Sequence, residues 1–397
     1  MSFEKLNVRP EIIRALSELE IVVPTQIQER AIPLIQKGLD VIGISKTGSG
    51  KTAAFGVPIL ERITPKQGVQ ALIVVPTREL ACQIADELKK FSKYQPSRIT
   101  TVYGGVSIQP QIQALRSAEV VCGTPGRLVD HLRQHTLNLS KIRWVVLDEA
   151  DKMVDMGFIE DIRQIMDETP KQKQVMLFGA TISDEVEGLK RAYMKEPQVA
   201  RAEAHVKQEF LEQYYYNVEV SEKFSLLVHL LKKEQAKQAI VFCSKRSTVD
   251  ILTTNLRAQG VRAEKIHGKL NQGTRLQVID TFRSGRVNVL VASAVAARGL
   301  DFRNVTHIFN YDLSRDPQEY VHRVGRTARA GETGKAITLL SPNNHGEFSS
   351  ILGQYNLNVQ VLKSDRFPRL RFDTGRFDRP NSYHNGRNGW HRRAVRA

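Results

Sequence analysis

Short runs rich in valine, isoleucine and leucine alternate with helix-length segments of mixed polarity along most of the chain. "DVIGIS" (40–45), "ALIVVP" (71–76), "ITTVYGG" (99–105), "EVVCGT" (119–124), "WVVLDE" (144–149) and "QVMLFGAT" (174–181) are each followed by such a segment. Brief apolar runs bounded by turn residues fit strands buried on both faces, and strands that alternate with helices imply βαβ crossovers in a parallel sheet. Near residues 196–212 the rhythm breaks into polar sequence ("EPQVARAEAHVKQEFLEQ"). It resumes with "QAIVFCS", "RAEKIHG", "NVLVAS", "THIFNYD" and "AITLLS". The pattern predicts an α/β chain of two domains, 1–205 and 206–363, joined by a short linker. From Ser364 no period of 2 or 3.6 survives, and 364–397 reads as a disordered tail in which arginine recurs with Phe, Tyr, Trp, Gly and Asn.

Composition narrows the partner class. The chain has 397 residues, 41% of them hydrophobic and 25% charged, which suits two globular domains with full cores. A net charge of +16 favours a polyanionic partner, nucleic acid or an anionic membrane surface. No stretch approaches the length of an apolar membrane span, and the acidic start "MSFEKLNVRPEII" is unlike a signal peptide, so a cytoplasmic location is expected. Cys82, Cys122 and Cys243 are scattered in apolar or small-residue contexts, which supports buried thiols rather than disulfides or a zinc site. In the tail, aromatics could stack on unpaired bases while arginines hold phosphate; a merely solubilising tail is the alternative.

Chemistry enters with "SKTGSGKT" (45–52), set between the strand "DVIGI" and the helix "KTAAFGVPILERI". A glycine-rich loop in that setting presents backbone N–H groups and a helix N-terminus to a triphosphate. Thr47, Gly48, Ser49 and Gly50 form the cradle, Lys51 reaches the β and γ phosphates, and the Thr52 hydroxyl ligates Mg²⁺. This explains the crowding of acids in "VVLDEADK" (145–152), since a buried strand that ends in several carboxylates needs a cationic partner. Asp148 is placed to hold the metal from a neighbouring strand, and Glu149 to orient and deprotonate the water that attacks the γ phosphate. The implied cofactors are ATP and Mg²⁺.

Asp148-Glu149-Ala150-Asp151 resembles the signature of the DEAD-box RNA helicases. Further matches follow in that family's order: "VPTQIQ" (23–28), "PTREL" (76–80), "GG" (104–105), "TPGR" (124–127), "GAT" (179–181), "VFCSKR" (241–246), "ARGLD" (297–301) and "HRVGRTAR" (322–329). Some are weak alone: "PTREL" could be a helix start capped by Thr77, and "TPGR" a turn. As an ordered set over about residues 3–341 they are specific. The resemblance implies two tandem RecA-like domains that close together on ATP and RNA. Gln28 would read the adenine edge. Phe3 would support the base, or else pack as a hydrophobic staple of the first helix. Asp301 would join the nucleotide site, and Arg326 and Arg329 would reach the γ phosphate from the second domain. Single-stranded RNA or a short duplex would be held by its backbone, largely regardless of sequence. Thr77, Arg78, Gly105, Thr124 and Arg127 would contact it from the first domain and Arg246, Gly268 and Ser293 from the second. Asp151, Gly179, Thr181 and Ala294 would couple the sites, with His322 and Arg323 as an interdomain relay to Asp151. A monomer with possible ribonucleoprotein partners and no membrane role is expected.

Four positions depart from the family's usual wording. Gly179 stands where serine is usual, Ser293-Ala294 where Thr-Asp usually comes before the alanines, in a run that reads Ser293-Ala294-Val295-Ala296-Ala297-Arg298, Ala328 where glycine is common, and Glu20-Ile21 where a Gly-Phe pair is common. The first two remove polar side chains at the coupling motifs. They suggest ATPase activity loosely coupled to unwinding, and keep open an ATP-gated RNA clamp or RNA chaperone that unwinds weakly. A P-loop ATPase directed at proteins would instead show no RNA stimulation.

Overall fold

The computed structural model describes residues 2–45, 48–181, 183–202, 211–293, 296, 302, 305–314, 316–327, 333–355 and 357–374. The first lobe carries β1 (Val41–Ile44), β2 (Ala71–Val74), β3 (Ile99–Val102), β4 (Val120–Gly123), β5 (Trp144–Asp148), β6 (Gln174–Gly179) and β7 (Gln198–Arg201). The second carries β8 (Leu211–Asn217), β9 (Ala239–Cys243), β10 (Ala263–Ile266), β11 (Val289–Ser293), β12 (His307–Asn310), β13 (Gly334–Leu340) and β14 (Gln360–Leu362). Strand orders are β3-β4-β2-β5-β6-β1-β7 and β10-β11-β9-β12-β13-β8-β14, the same sequence of positions twice. Neighbouring strands pair in parallel, for example Ile73 with both Cys122 and Val146.

The apolar runs become strands because both faces of each sheet are covered. Val41, Ile73, Cys122 and Val146 point into one core layer with the helix Lys51–Leu60, while Leu72, Val121, Val145 and Leu147 point into the other. Such two-sided burial removes the polar alternation of a half-exposed strand. The stretch around 196–212, expected as a linker, instead contains β7 and the start of β8. β7 was missed because it is an edge strand on which only Ala200 is buried, leaving Gln198 and Arg201 exposed. The boundary placed at residue 205 lies outside the described residues.

The tail also begins later than expected. Residues 364–374 are packed along the second lobe: Phe372 lies 5.0 Å from Phe224 between ring centroids and Phe367 5.9 Å from His229. Leu370 N–H donates to Ser225 Oγ at 3.0 Å, and Asp373 and Asn255 exchange two hydrogen bonds of 2.8 Å. An extended strap that contacts a helix flank through irregularly spaced Phe367, Leu370 and Phe372 leaves no periodic signature, which is why it read as tail. Residues 375–397 lie outside the described residues.

Candidate nucleotide and RNA site

In a parallel sheet the loops that follow the C-terminal strand ends build the site. The loop after β1 leads into the helix Lys51–Leu60 through Gly50, which adopts φ +88°, a left-handed conformation that glycine enters without strain. A Cβ there would also collide with the Gln28 amide. Gln28 ties this loop to its own helix: Oε1 accepts from Thr25 N–H at 2.9 Å and Nε2 donates to Gly50 O at 3.0 Å. Thr25 Oγ1 adds a donation to Ser49 O at 2.8 Å. Gln28 thus ties the phosphate loop to the start of its own helix, and each end of its amide keeps one further hydrogen-bonding site. Phe3 is 2% exposed in the first-lobe core. The base-supporting role is therefore corrected to the packing one, because its ring has no free face to offer.

β5 ends at Asp148, and Glu149 turns the chain with φ +53° into the helix Ala150–Asp155. Asp148, Glu149, Asp151 and Lys152 are all 5% exposed or less. Burial pushes the Asp148 carboxyl up to about 6; Lys51 opposes this and Glu149 reinforces it. Burial also acts to raise Glu149, but the cations of Lys152, Lys51 and Arg326 together hold it down at about 2. The Lys152 ammonium sits 2.6 Å from Glu149 Oε1, and burial lowers its pKa despite that partner. Lys152 was missed by sequence reasoning, although its spacing three residues after Glu149 on a helix is a readable pairing signal. Asp151 Oδ2 accepts from Ala180 N–H at 3.0 Å, Thr181 N–H at 3.1 Å and the Thr181 hydroxyl at 3.3 Å, which joins the acids to the end of β6.

The second lobe reaches this cluster through Arg326, which is 4% exposed and acts electrostatically on both Glu149 and Lys152. Lys51, Lys152 and Arg326 thus share a buried cleft with Asp148, Glu149 and Asp151. Arg323 does not relay to Asp151. Its Nη1 donates to Asp312 O at 2.8 Å and its Nη2 pairs with Glu319, so both terminal nitrogens are engaged inside its own lobe. His322 is half-buried on the same helix, Pro317–Val324. Thr47, Ala294, Asp301 and Arg329 lie outside the described residues.

The residues expected to hold RNA follow equivalent strands in the two lobes. Thr77 and Arg78 follow β2, Gly105 follows β3, and Thr124 and Arg127 follow β4; Arg246 follows β9, Gly268 follows β10, and Ser293 ends β11. Thr77 caps the helix Arg78–Phe91 by accepting from Leu80 N–H at 3.3 Å. Gly105, at φ +79°, lets the Arg78 guanidinium lie where a Cβ would collide with it. A second feature missed from sequence joins the lobes: Arg275 Nε lies 2.7 Å from Glu79 Oε1, and Gln272 Nε2 donates to the same oxygen at 3.3 Å. Near this contact a cavity of about 380 Å³ is lined by Leu19, Ile21, Phe91, Arg283 and Phe302 among others. The Glu20-Ile21 departure therefore borders the lobe interface, and Glu20 carries φ +61°, the conformation that explains why glycine suits this position.

The DEAD/DEAH box helicase family model matches residues 25–189, and the helicase conserved C-terminal domain model matches 222–331. The chain is 43% identical over 353 residues to the DEAD-box ATP-dependent RNA helicase CshA of Geobacillus kaustophilus, covering 88% of this chain and 76% of that protein. With CshA of Streptococcus pneumoniae it shares 46% over 366 residues, 91% and 70% of the two chains. The chain belongs to the DEAD-box helicase family. Among solved structures it resembles S. cerevisiae Dbp5 bound to RNA and ADP BeF3, with a TM-score of 0.82 at 30% identity over 92% of this chain and 96% of that one. A DEAD box protein of Methanococcus jannaschii, 37% identical over 91% of this chain and 99% of that one, gives a TM-score of 0.56. As a member of the family the chain has two RecA-like lobes, each a parallel sheet flanked by helices.

Proposed function

We propose that this DEAD-box ATP-dependent RNA helicase couples ATP hydrolysis to local, non-processive separation of short RNA duplexes or remodelling of ribonucleoproteins. The observation that carries the reading is the buried cleft in which Lys51 from the first lobe and Arg326 from the second both act on the Glu149 carboxylate. A polyphosphate held between the lobes would draw on Lys51 and Arg326 at once and so favour their closure. Thr52 and Asp148 fit Mg²⁺, because hydroxyl and carboxylate oxygens are hard ligands and a cation would offset the burial that raises the Asp148 carboxyl. When bound, the metal neutralises phosphate charge. Glu149, kept ionised by Lys152 at 2.6 Å, orients the attacking water and takes its proton. Arg326 stabilises the charge that develops on the γ phosphate, and only after closure.

RNA lies across both lobes on the loops after β2, β3 and β4 and after β9, β10 and β11, with its backbone held and its bases largely unread. Dbp5, which this chain resembles over both lobes, has been captured with RNA and a nucleotide analogue. The protein works as a cytoplasmic monomer, with residues 375–397 adding nonspecific grip on RNA. The test is ATPase activity with RNA and DNA oligonucleotides of equal length, run beside displacement of a short duplex. RNA-specific stimulation with displacement supports helicase action. Equal stimulation by DNA would overturn the substrate assignment, and stimulation without displacement would favour an ATP-gated clamp, a reading that the glycine at 179 keeps alive.

A further inference from the structure

Lys223 opens the first helix of the second lobe, Lys223–Lys233, and is 5% exposed. A cation buried in the first turn of a helix meets the positive end of the helix dipole, so the position is unfavourable unless a specific contact offsets it. That contact is the carbonyl of Tyr311, which accepts from Lys223 Nζ at 2.8 Å, with the Tyr311 ring centroid 5.7 Å away. Tyr311 lies just after β12, next to Asp312, whose carbonyl accepts from Arg323 Nη1 at 2.8 Å. The Arg323 carbonyl accepts in turn from Arg326 N–H at 3.2 Å, and Arg326 lies beside Glu149. The Asp312 carboxylate also accepts from Ser244 N–H at 2.9 Å, two residues before Arg246 on the RNA side of the lobe.

We propose that Lys223 is a positioning residue for hydrolysis. By fixing the Tyr311-Asp312 backbone it holds Arg323, and through Arg323 it sets where the Arg326 side chain meets the γ phosphate. The proposal rests on Arg326 being that phosphate-facing arginine. Lys223 touches neither nucleotide nor RNA in this scheme. Its removal loosens a group that must be placed to within a fraction of an ångström, and a misplacement of about 1 Å can cost on the order of 10²-fold in rate.

The experiment is a double-mutant cycle on the full chain at saturating RNA, reading kcat and KM for ATP in wild type, Lys223→Met, Arg326→Ala and the double variant. Lys223→Met should lower kcat roughly tenfold with KM held within about twofold, and Lys223→Arg, which keeps a charged donor, should recover most of the rate. The decisive reading is that the double variant is no slower than Arg326→Ala alone, because a residue acting only through Arg326 has nothing left to position. A purely structural lysine would multiply the two losses, and that outcome, or an unchanged kcat in Lys223→Met, overturns the proposal. If Lys223→Met does not fold, Lys223→Gln carries the same cycle. If Arg326→Ala alone hydrolyses at the wild-type rate, the premise fails, and this single variant reports that separately.

Discussion

The two lobes repeat one strand order, yet only one of them builds a phosphate cradle, and the contrast lies in how each uses the lysine that opens its first helix. In the first lobe, residues 45–50 separate β1 from Lys51 and include Gly48 and Gly50, both at positive φ. In the second, the corresponding "VEVSE" (218–222) between β8 and Lys223 contains no glycine. Without residues free to enter the left-handed region, that loop cannot turn successive N–H groups toward an anion. Its lysine closes on the Tyr311 carbonyl, whereas Lys51 faces the carboxylates after β5. The residues proposed to hold RNA follow equivalent strands in the two lobes, β2, β3 and β4 in the first and β9, β10 and β11 in the second. The fold supplies equivalent positions, and a few residues decide whether a position binds a ligand or braces its own lobe.

The sharpest way to break this comparison is Lys51→Ala. Loss of one preorganised donor to the developing charge should lower RNA-stimulated hydrolysis by about 10² to 10³. Steady-state phosphate release checks it, and a variant that kept a rate within a few fold of wild type would make the two lysines alike and remove the distinction. Next in size is Arg275→Ala at the contact between the lobes. Glu79, 7% exposed, would remain in the interface without its ion-pair partner, which penalises the closed state by an estimated 2 kcal/mol or more. The RNA concentration for half-maximal ATPase should rise roughly tenfold to a hundredfold, with little change in the rate reached at saturation. An unmoved half-saturation point would mean that the Glu79–Arg275 pair contributes nothing to closure.

What could be read from the sequence divides along the same line between local and distant contacts. The six first-lobe runs and five second-lobe runs became strands because continuous burial leaves an apolar signature in consecutive residues. The phosphate loop and the acids were legible for a similar reason: Gly50, Lys51 and Thr52 act as a short block, as do Asp148 and Glu149. The pairing of Glu79 with Gln272 and Arg275 was not, since the partners are 193 residues apart for Gln272 and no local period links them. Arg323 misled because its motif position says nothing about which side of its helix it faces. It turned inward to Asp312 rather than across to Asp151. Phe3 shows the limit most simply: a lone aromatic fits a base or a core equally well until its burial is known.

A smaller effect concerns the strap, which among the described residues packs on the second lobe. Phe372→Ala removes a ring packed against Phe224 and should cost about 1 to 3 kcal/mol of stability. At roughly 2 to 4 °C per kcal/mol for domains of this size, the thermal midpoint of the second lobe should fall by several degrees. ATPase at 25 °C should stay near wild type, since the strap packs on Phe224, Ser225, His229 and Asn255, none of which is proposed to hold nucleotide or RNA. A full loss of activity with unchanged melting would instead place the strap in the catalytic cycle and blur the division of labour between the lobes.

The smallest change expected is Gly179→Ser, which tests how tightly the first lobe passes the state of its acids to β6. A Cβ at 179 would sit 3.4 Å from Asp151 Oδ1 and 3.1 Å from Thr181 O, so a serine hydroxyl can reach the carboxylate once the chain yields by a few tenths of an ångström. Asp151 Oδ2 already accepts from Ala180, Thr181 and the Thr181 hydroxyl, so one further donor adds about 0.5 to 1.5 kcal/mol at most. Hydrolysis should remain within about twofold of wild type. Duplex separated per ATP should rise by a factor of roughly 2 to 5 when Gly179→Ser is combined with Ala294→Asp, measured by strand displacement and phosphate release in the same reaction. If the ratio does not move in the double variant, Thr181 and the backbone already supply all the coupling that Asp151 can use, and the missing serine is silent.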